Sequence, residues 1–380
     1  MAKSTMKNNI KNIYNLGVKE LWSLIRDPLL LVLIAFTFTV SVYTAATAVP
    51  DGLQNASIGI VDEDRSTLSE RIQGAFYPPQ FTLPSDITID EMDVGMDKGR
   101  YTFVLNIPPS FQQDLLGNRK PTMQLNIDAT RMTQGFTGNV IINQIINAEV
   151  SEYLERERSK VDLPVNITER MRFNPNLTAS WFGALNEVIN LITMLSIILT
   201  GAAVIRERER GTIEHLLVMP LTPFEIMLSK VWSMGLVVLI AATLSLIFVV
   251  QGALNVPIEG SIMLFIVGAG LNLFATTSIG IYLATIARNM PQFGMLLLLV
   301  LVPLQMLSGG MTPRESMPEI IQYIMLLAPT THFIELGKAI LFRGAGISIV
   351  WPSMCYLALI GSAFFFFAHR RFRATIGQMA

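Results

Sequence analysis

The sequence predicts an α-helical polytopic membrane protein with six transmembrane helices and an α/β domain inserted after the first. Three observations predict it. Hydrophobic residues make up 51% of the 380 positions and charged ones only 15%, whereas an ordinary soluble domain carries roughly a quarter charged. The mean hydropathy is +0.47. The apolar residues are also gathered into six stretches, each near the ~20 residues that cross about 30 Å of hydrocarbon. This pattern excludes a disordered chain and argues against a cytosolic enzyme. With 28 basic and 29 acidic residues the net charge is -1, which gives no electrostatic case for nucleic acid as a partner. A single cysteine, Cys355, excludes an internal disulfide framework. His215, His332 and His369 lie far apart with none of the usual ligand spacings, which argues against a metal site.

Residues 1–28 open the chain on a predicted interfacial helix. Laid at 100° per residue, Ile10, Ile13, Tyr14, Gly17, Val18, Leu21, Leu24 and Ile25 share an apolar arc. Asn12, Asn15, Lys19, Ser23 and Arg26 lie opposite, and Leu16 is the exception. Such a helix lies at the membrane surface with its lysines toward lipid headgroups, and Asp27-Pro28 marks the turn into the bilayer. The first span covers 29–48. Ala46-Thr47-Ala48 at its end matches a signal-peptide cleavage pattern, but the apolar run is too long and its leader too extended for one, so it reads as an anchor. The other spans are 181–205, 231–250, 261–287, 293–307 with Pro303 inside, and 349–368. Basic residues cluster before span one, after spans two and four, and in the tail 369–380. That places both termini on the cytoplasmic side.

Residues 49–180, with 12 basic and 18 acidic residues by count, form the inserted domain. ASIGIVDED, RYTFVLNIP and TMQLNIDAT read as strands; STLSERIQGAF, DEMDVGMDKG and PSFQQDLLGN read as helices. Their alternation implies βαβ units. A long helix over 132–160, with Val140, Ile141, Ile145, Ala148 and Tyr153 apolar, should pack on that layer or on a second copy. Asp62, Glu63 and Asp64 at a strand end read as a turn and helix cap, with Ser66 a further cap candidate. The sequons at Asn55, Asn166 and Asn176 are attributed to chance.

The cytoplasmic segment 206–230 carries the most specific pattern. Arg206, Arg208 and Arg210 alternate with Glu207 and Glu209, so the helix can end in solvent. Gly211 permits a reversal, and Thr212 can cap a short helix over 213–218 that Pro220 stops. Thr222-Pro223-Phe224-Glu225 reads as a capping box with proline at the first helical position. Ile213, Leu216 and Leu217 are then apolar on a loop facing water, as on a binding surface. Over 308–348, Thr312-Pro313-Arg314-Glu315 and Ser316-Met317-Pro318-Glu319 open two helices that fit a re-entrant or interfacial hairpin at the outer face. Within the spans, Glu187, Asn190, Asn272 and Gln305 are polar. Glu187, six residues after Trp181, reads first as a structural or solvated carboxylate near the outer headgroups; Asn190, Asn272 and Gln305 lie deeper and could bond between helices, and all four are the candidates for an intramembrane polar route.

The run ERERGTIEHLLVMPLTPFE at 207–225, together with the six-span layout, the large insertion after span one and LSGGMTPRESMPEIIQYIMLLAPTTHFIE at 307–335, resembles the ABC-2 type transporter permeases. Within them it resembles the bacterial inner-membrane YhhJ-like subfamily. The resemblance covers essentially the whole chain. It implies the type V exporter-like helical fold, a second permease half, equal or different, and a separate ATP-binding cassette ATPase that holds ATP and Mg. It also implies export across the bacterial inner membrane, with a periplasmic membrane fusion protein as a further partner. ATPase coupling would fall to Gly211, Thr212, Ile213, Glu214, Leu216, Leu217, Pro220 and Pro223, and the connecting-helix role to 10–26. No G-x-x-x-x-G-K-[ST] occurs in the chain, so it binds no nucleotide by a P-loop and calls for no cofactor of its own. The alternative is a membrane-anchored receptor or envelope assembly factor acting through its extracytoplasmic α/β domain.

Overall fold

The computed structural model describes residues 2–48, 53–128, 130, 132–157, 178–211, 221–310 and 314–377. The chain divides into two compact units, Met1–Val49 with Ser180–Ala380, and Pro50–Ala179.

In the first unit six helices are long and apolar enough to cross a membrane: Pro28–Thr47, Ser180–Glu209, Pro223–Ala253, Ile262–Ile286, Met290–Leu307 and Ile347–Ala374. At 1.5 Å per residue each reaches across the hydrocarbon layer. They are called spans one to six below. A shorter pair, Glu319–Met325 and Pro329–Leu341, is bent by 86° between its halves and would count as a seventh span only if taken as one. Span one begins as Asp27 and Pro28 lead one to expect: the Asp27 carboxylate accepts from the Leu30 N–H and proline occupies the first turn. At Thr222 the capping box is complete, with Glu225 accepting from the Thr222 N–H at 2.6 Å and from its hydroxyl at 2.8 Å. The helix after Pro318 differs from expectation. It starts at Glu319 with Pro318 before it and no side-chain cap, so Ser316 does not open it; Ser316 ends a short 3-10 turn instead. Thr312 and Pro313 lie outside the described residues.

Spans two and four form the centre of this unit. Ser196 and Thr276 meet hydroxyl to hydroxyl at 2.6 Å, and the Asn272 amide donates to the Thr193 hydroxyl at 3.1 Å. A Cβ added at Gly280 would come within 2.6 Å of the Ile197 carbonyl oxygen. Small residues let two backbones approach and let hydroxyls bond across. By contrast, spans one, five and six bury little of themselves within the chain. Two π-helical turns, Thr37–Ser41 in span one and Ser245–Ala253 in span three, have no counterpart in the sequence reading.

The second unit holds a four-stranded sheet: β1 Ile58–Asp62, β2 Ser85–Asp86, β3 Phe103–Ile107 and β4 Gln124–Ile127, in the order β2-β1-β3-β4. β1 runs parallel to β2 and β3, while β4 runs antiparallel to β3. The central strands are almost wholly buried, as strands covered on both faces are. Helices Thr67–Gly74, Ile89–Asp97, Phe111–Leu116 and Met132–Glu157 follow in the expected places. The long helix buries Ile142 on the sheet, and Val140 points away from it, 49% exposed. Arg71 ties the long helix to its neighbour through Glu149 at 2.9 Å. Asp62 is a turn and cap residue: it accepts from the Asp64 and Arg65 N–H groups and from the Ser69 hydroxyl. Ser66 caps the helix it precedes. The Thr88 N–H and hydroxyl both donate to Glu91, and these bonds hold its carboxyl below the usual carboxylate range. Residues 158–160, Asn166 and Asn176 lie outside the described residues.

Candidate coupling site

The apolar arc of the N-terminal helix, Ala2–Ile25, is divided between a buried edge and an exposed one. Gly17, Glu20 and Leu24 are buried, with Ile13 and Leu16 half-buried beside them. This stripe packs on the start of span three. Leu16 therefore belongs to the protein-facing side and is no exception. Ile10, Tyr14 and Ile25 remain exposed at 55–62%, on the arc left for lipid. A Cβ at Gly17 would fall 2.0 Å from the Trp232 ring, so glycine lets the indole lie against the helix backbone. The Trp232 N–H donates to the Ile13 carbonyl at 3.2 Å, and Tyr14 stacks on the same ring at 6.1 Å. The Asn12 amide donates to Glu225 at 3.1 Å.

An ionic knot sits beneath these contacts. Lys230, 1% exposed, places its ammonium 3.0 Å from Glu20 and 2.8 Å from Glu207. Lys19 reaches the same two carboxylates at 3.6 and 3.0 Å. Three elements meet here: the N-terminal helix, the end of span two and the start of span three. Two cations face two carboxylates, so each charge taken from water has an opposite charge in contact. Without such pairing the desolvation penalty would be several kcal/mol per ion. Arg206 and Asp27 form a flanking pair at 3.5 Å. Arg208 donates to the Ala287 carbonyl and Glu209 accepts from the Met290 N–H, joining the end of span two to the connection between spans four and five.

The knot corrects the sequence reading of 206–210. Glu207 does not end its helix in solvent; its side chain is 13% exposed and bound to two lysines. Lys230, one of the basic residues that follow span two, is the centre of the knot. Glu20 belonged to neither arc of the predicted helix. Its spacing from Gly17 and Leu24, three before and four after, is the signal that could have found it.

Of the expected coupling residues, Gly211 has φ +67°, the left-handed backbone a reversal requires, and Pro223 opens span three. Thr212, Ile213, Glu214, Leu216, Leu217 and Pro220 lie outside the described residues. Segment 211–223 thus starts four residues beyond Glu207 and ends seven before Lys230, both in the knot. The polar set within the spans is divided. Glu187 accepts from the Ser41 hydroxyl at 3.2 Å, joining spans one and two where the π-helical turn of span one ends. Asn272 is fully buried and bonded to Thr193. Asn190 and Gln305 are half-buried. Among the described residues no hydrogen bond joins any two of these four.

Six apolar spans, a bent helix pair and a charged junction define a polytopic helical membrane protein. The family model described as ABC-2 family transporter protein matches residues 21–370. Inner membrane transport permease YhhJ of Escherichia coli is 60% identical over 372 residues, covering 98% of this chain and 100% of that protein. Probable multidrug ABC transporter permease YbhR of Escherichia coli is 26% identical, covering 96% and 99%. ABC transporter G family member 20 of Dictyostelium discoideum is 22% identical over 87% of this chain and 46% of its own length. The chain belongs to the ABC-2 family of transporter proteins.

Proposed function

We propose that this chain is the membrane subunit of an ATP-driven exporter in the bacterial inner membrane. A separate ATP-binding cassette ATPase, which holds ATP and Mg, would dock on segment 211–223. Both termini and this segment face the cytoplasm on this reading, and the α/β unit faces the periplasm. A second permease half, from a copy of this chain or a related one, completes the pathway, and a periplasmic membrane fusion protein is a further candidate partner. The names of the two Escherichia coli relatives, a transport permease and a probable multidrug ABC transporter permease, support transport as the activity.

The observation that carries the reading is the knot of Lys19, Glu20, Glu207 and Lys230. Segment 211–223 connects spans two and three on either side of it. A push on that segment is therefore delivered to both spans together, because separating either would leave a buried charge without its partner, and it reaches the N-terminal helix through the ion pairs of Lys19 with Glu207 and of Glu20 with Lys230. Leu216 and Leu217 are the apolar contacts assigned to the ATPase, and Gly211 and Pro223 are its turning points. Co-purification of the full chain with a co-expressed ATPase, with ATP turnover and transport in vesicles as readouts, tests this. Leu216→Asp with Leu217→Asp is expected to abolish co-purification and stimulated turnover. Unchanged assembly and transport in that variant would refute the docking assignment.

A further inference from the structure

Beside the knot lies an open groove of about 550 Å³, lined by Lys19, Trp22, Arg26, Asp27, Arg206 and Arg210. Four cations and one carboxylate face this space. Lys19 is held by Glu207 and Glu20, and Arg206 by Asp27. The Arg26 guanidinium instead lies over the Trp22 ring, 5.7 Å from its centroid, and Arg210 has no carboxylate partner among the described residues. Among the described residues two positive charges are thus left over in one concave site. Planar guanidinium groups bind phosphate oxygens with two parallel hydrogen bonds.

The depth of the groove identifies the source of that phosphate. Span one starts at Pro28 on the groove wall, and Leu29 beside it is 79% exposed, so hydrocarbon begins where the groove ends. Trp22, on the groove wall, is 56% exposed. A tryptophan at this level is the usual companion of lipid headgroups. An acidic protein surface would match the arginines but not an apolar ledge beneath them. We propose that this groove binds the phosphate headgroup of an anionic phospholipid. Lys19 belongs both to the groove and to the knot, so the headgroup and Glu207 compete for one ammonium. Anionic lipid would then loosen the tie between the N-terminal helix and span two.

The test uses the full chain purified in mild detergent and given equal amounts of phosphatidylglycerol and phosphatidylcholine, with retained lipid counted by native mass spectrometry. The wild type is expected to retain phosphatidylglycerol preferentially. Arg26→Gln and Arg210→Gln should each lower the preference about fivefold, since a basic side chain near an anionic surface is worth about 1 kcal/mol, and the double variant should lose most of it. Arg371→Gln with Arg373→Gln, outside the groove, should keep it. If the double variant does not yield folded protein, the single variants carry the same comparison. No preference in the wild type, or an equal loss in the Arg371 and Arg373 variant, would overturn the site. Displacement by inorganic phosphate at matching concentration would assign it to a free anion instead. Loss of a co-purifying protein with the lipid preference intact would assign it to a protein partner.

Discussion

Two interfaces of span two are built from opposite chemistry. Toward span four it offers Ser196, Thr193 and a backbone close enough to Gly280 to exclude any side chain there. At its end it offers Glu207 to two lysines. The first interface is short-range and shape-matched, so a small displacement destroys it. The second is held by charges whose attraction falls off slowly with distance, and by long side chains that can follow a moving partner. On the proposed coupling, span two stays fixed to one neighbour while being driven with another, and that needs both.

The comparison can be broken at several points. Lys230→Ala leaves Glu20 and Glu207 buried without their central cation. It should cost about 3–5 kcal/mol, seen as the largest drop in thermal unfolding temperature in detergent. Replacing Glu20, Glu207 and Lys230 together by methionine should restore stability to near wild type while lowering ATP-coupled transport. Retained coupling in that stable variant would show that the charges serve folding alone. Gly280→Leu should cost about 1–3 kcal/mol through overpacking and separate spans two and four, which cross-linking between cysteines placed on those spans would register. Thr222→Ala removes the cap of span three at about 1 kcal/mol, and hydrogen exchange should rise at the Glu225 amide, whose cap partner is that hydroxyl. The smallest effect belongs to Asn272 and Thr193. A double-mutant cycle to alanine should give a coupling of about 0.6 kcal/mol, the average for hydrogen bonds between membrane helices.

The six spans were legible because a span is a local property: about twenty apolar residues suffice to define one. The capping box at Thr222 and Glu225 was legible for the same reason, since its two halves stand three residues apart. The knot was not. Glu20 and Lys230 are 210 positions apart, and each alone looks like an ordinary surface charge near a membrane end. β2 escaped notice because two exposed residues, Ser85 and Asp86, carry no alternation to detect. The π-helical turn ending at Ser41 was equally invisible, because the extra residue it accommodates changes hydrogen bonding and not hydrophobicity. Reading 206–210 as a solvated end failed on Glu207, whose partners come from two other helices.

The two lysines and two glutamates of the knot also bear on the energised membrane. Each elementary charge carried across the field does work of about 2.3 kcal/mol per 100 mV. Lys19, Lys230, Glu20 and Glu207 sum to zero, so a rigid displacement of the four toward or away from the bilayer does almost no net electrical work. On the proposed coupling, the knot itself adds almost nothing to any voltage dependence, so a difference between coupling in unenergised vesicles and under an imposed potential should vanish in Arg26→Gln with Arg210→Gln, whose charges the knot does not balance.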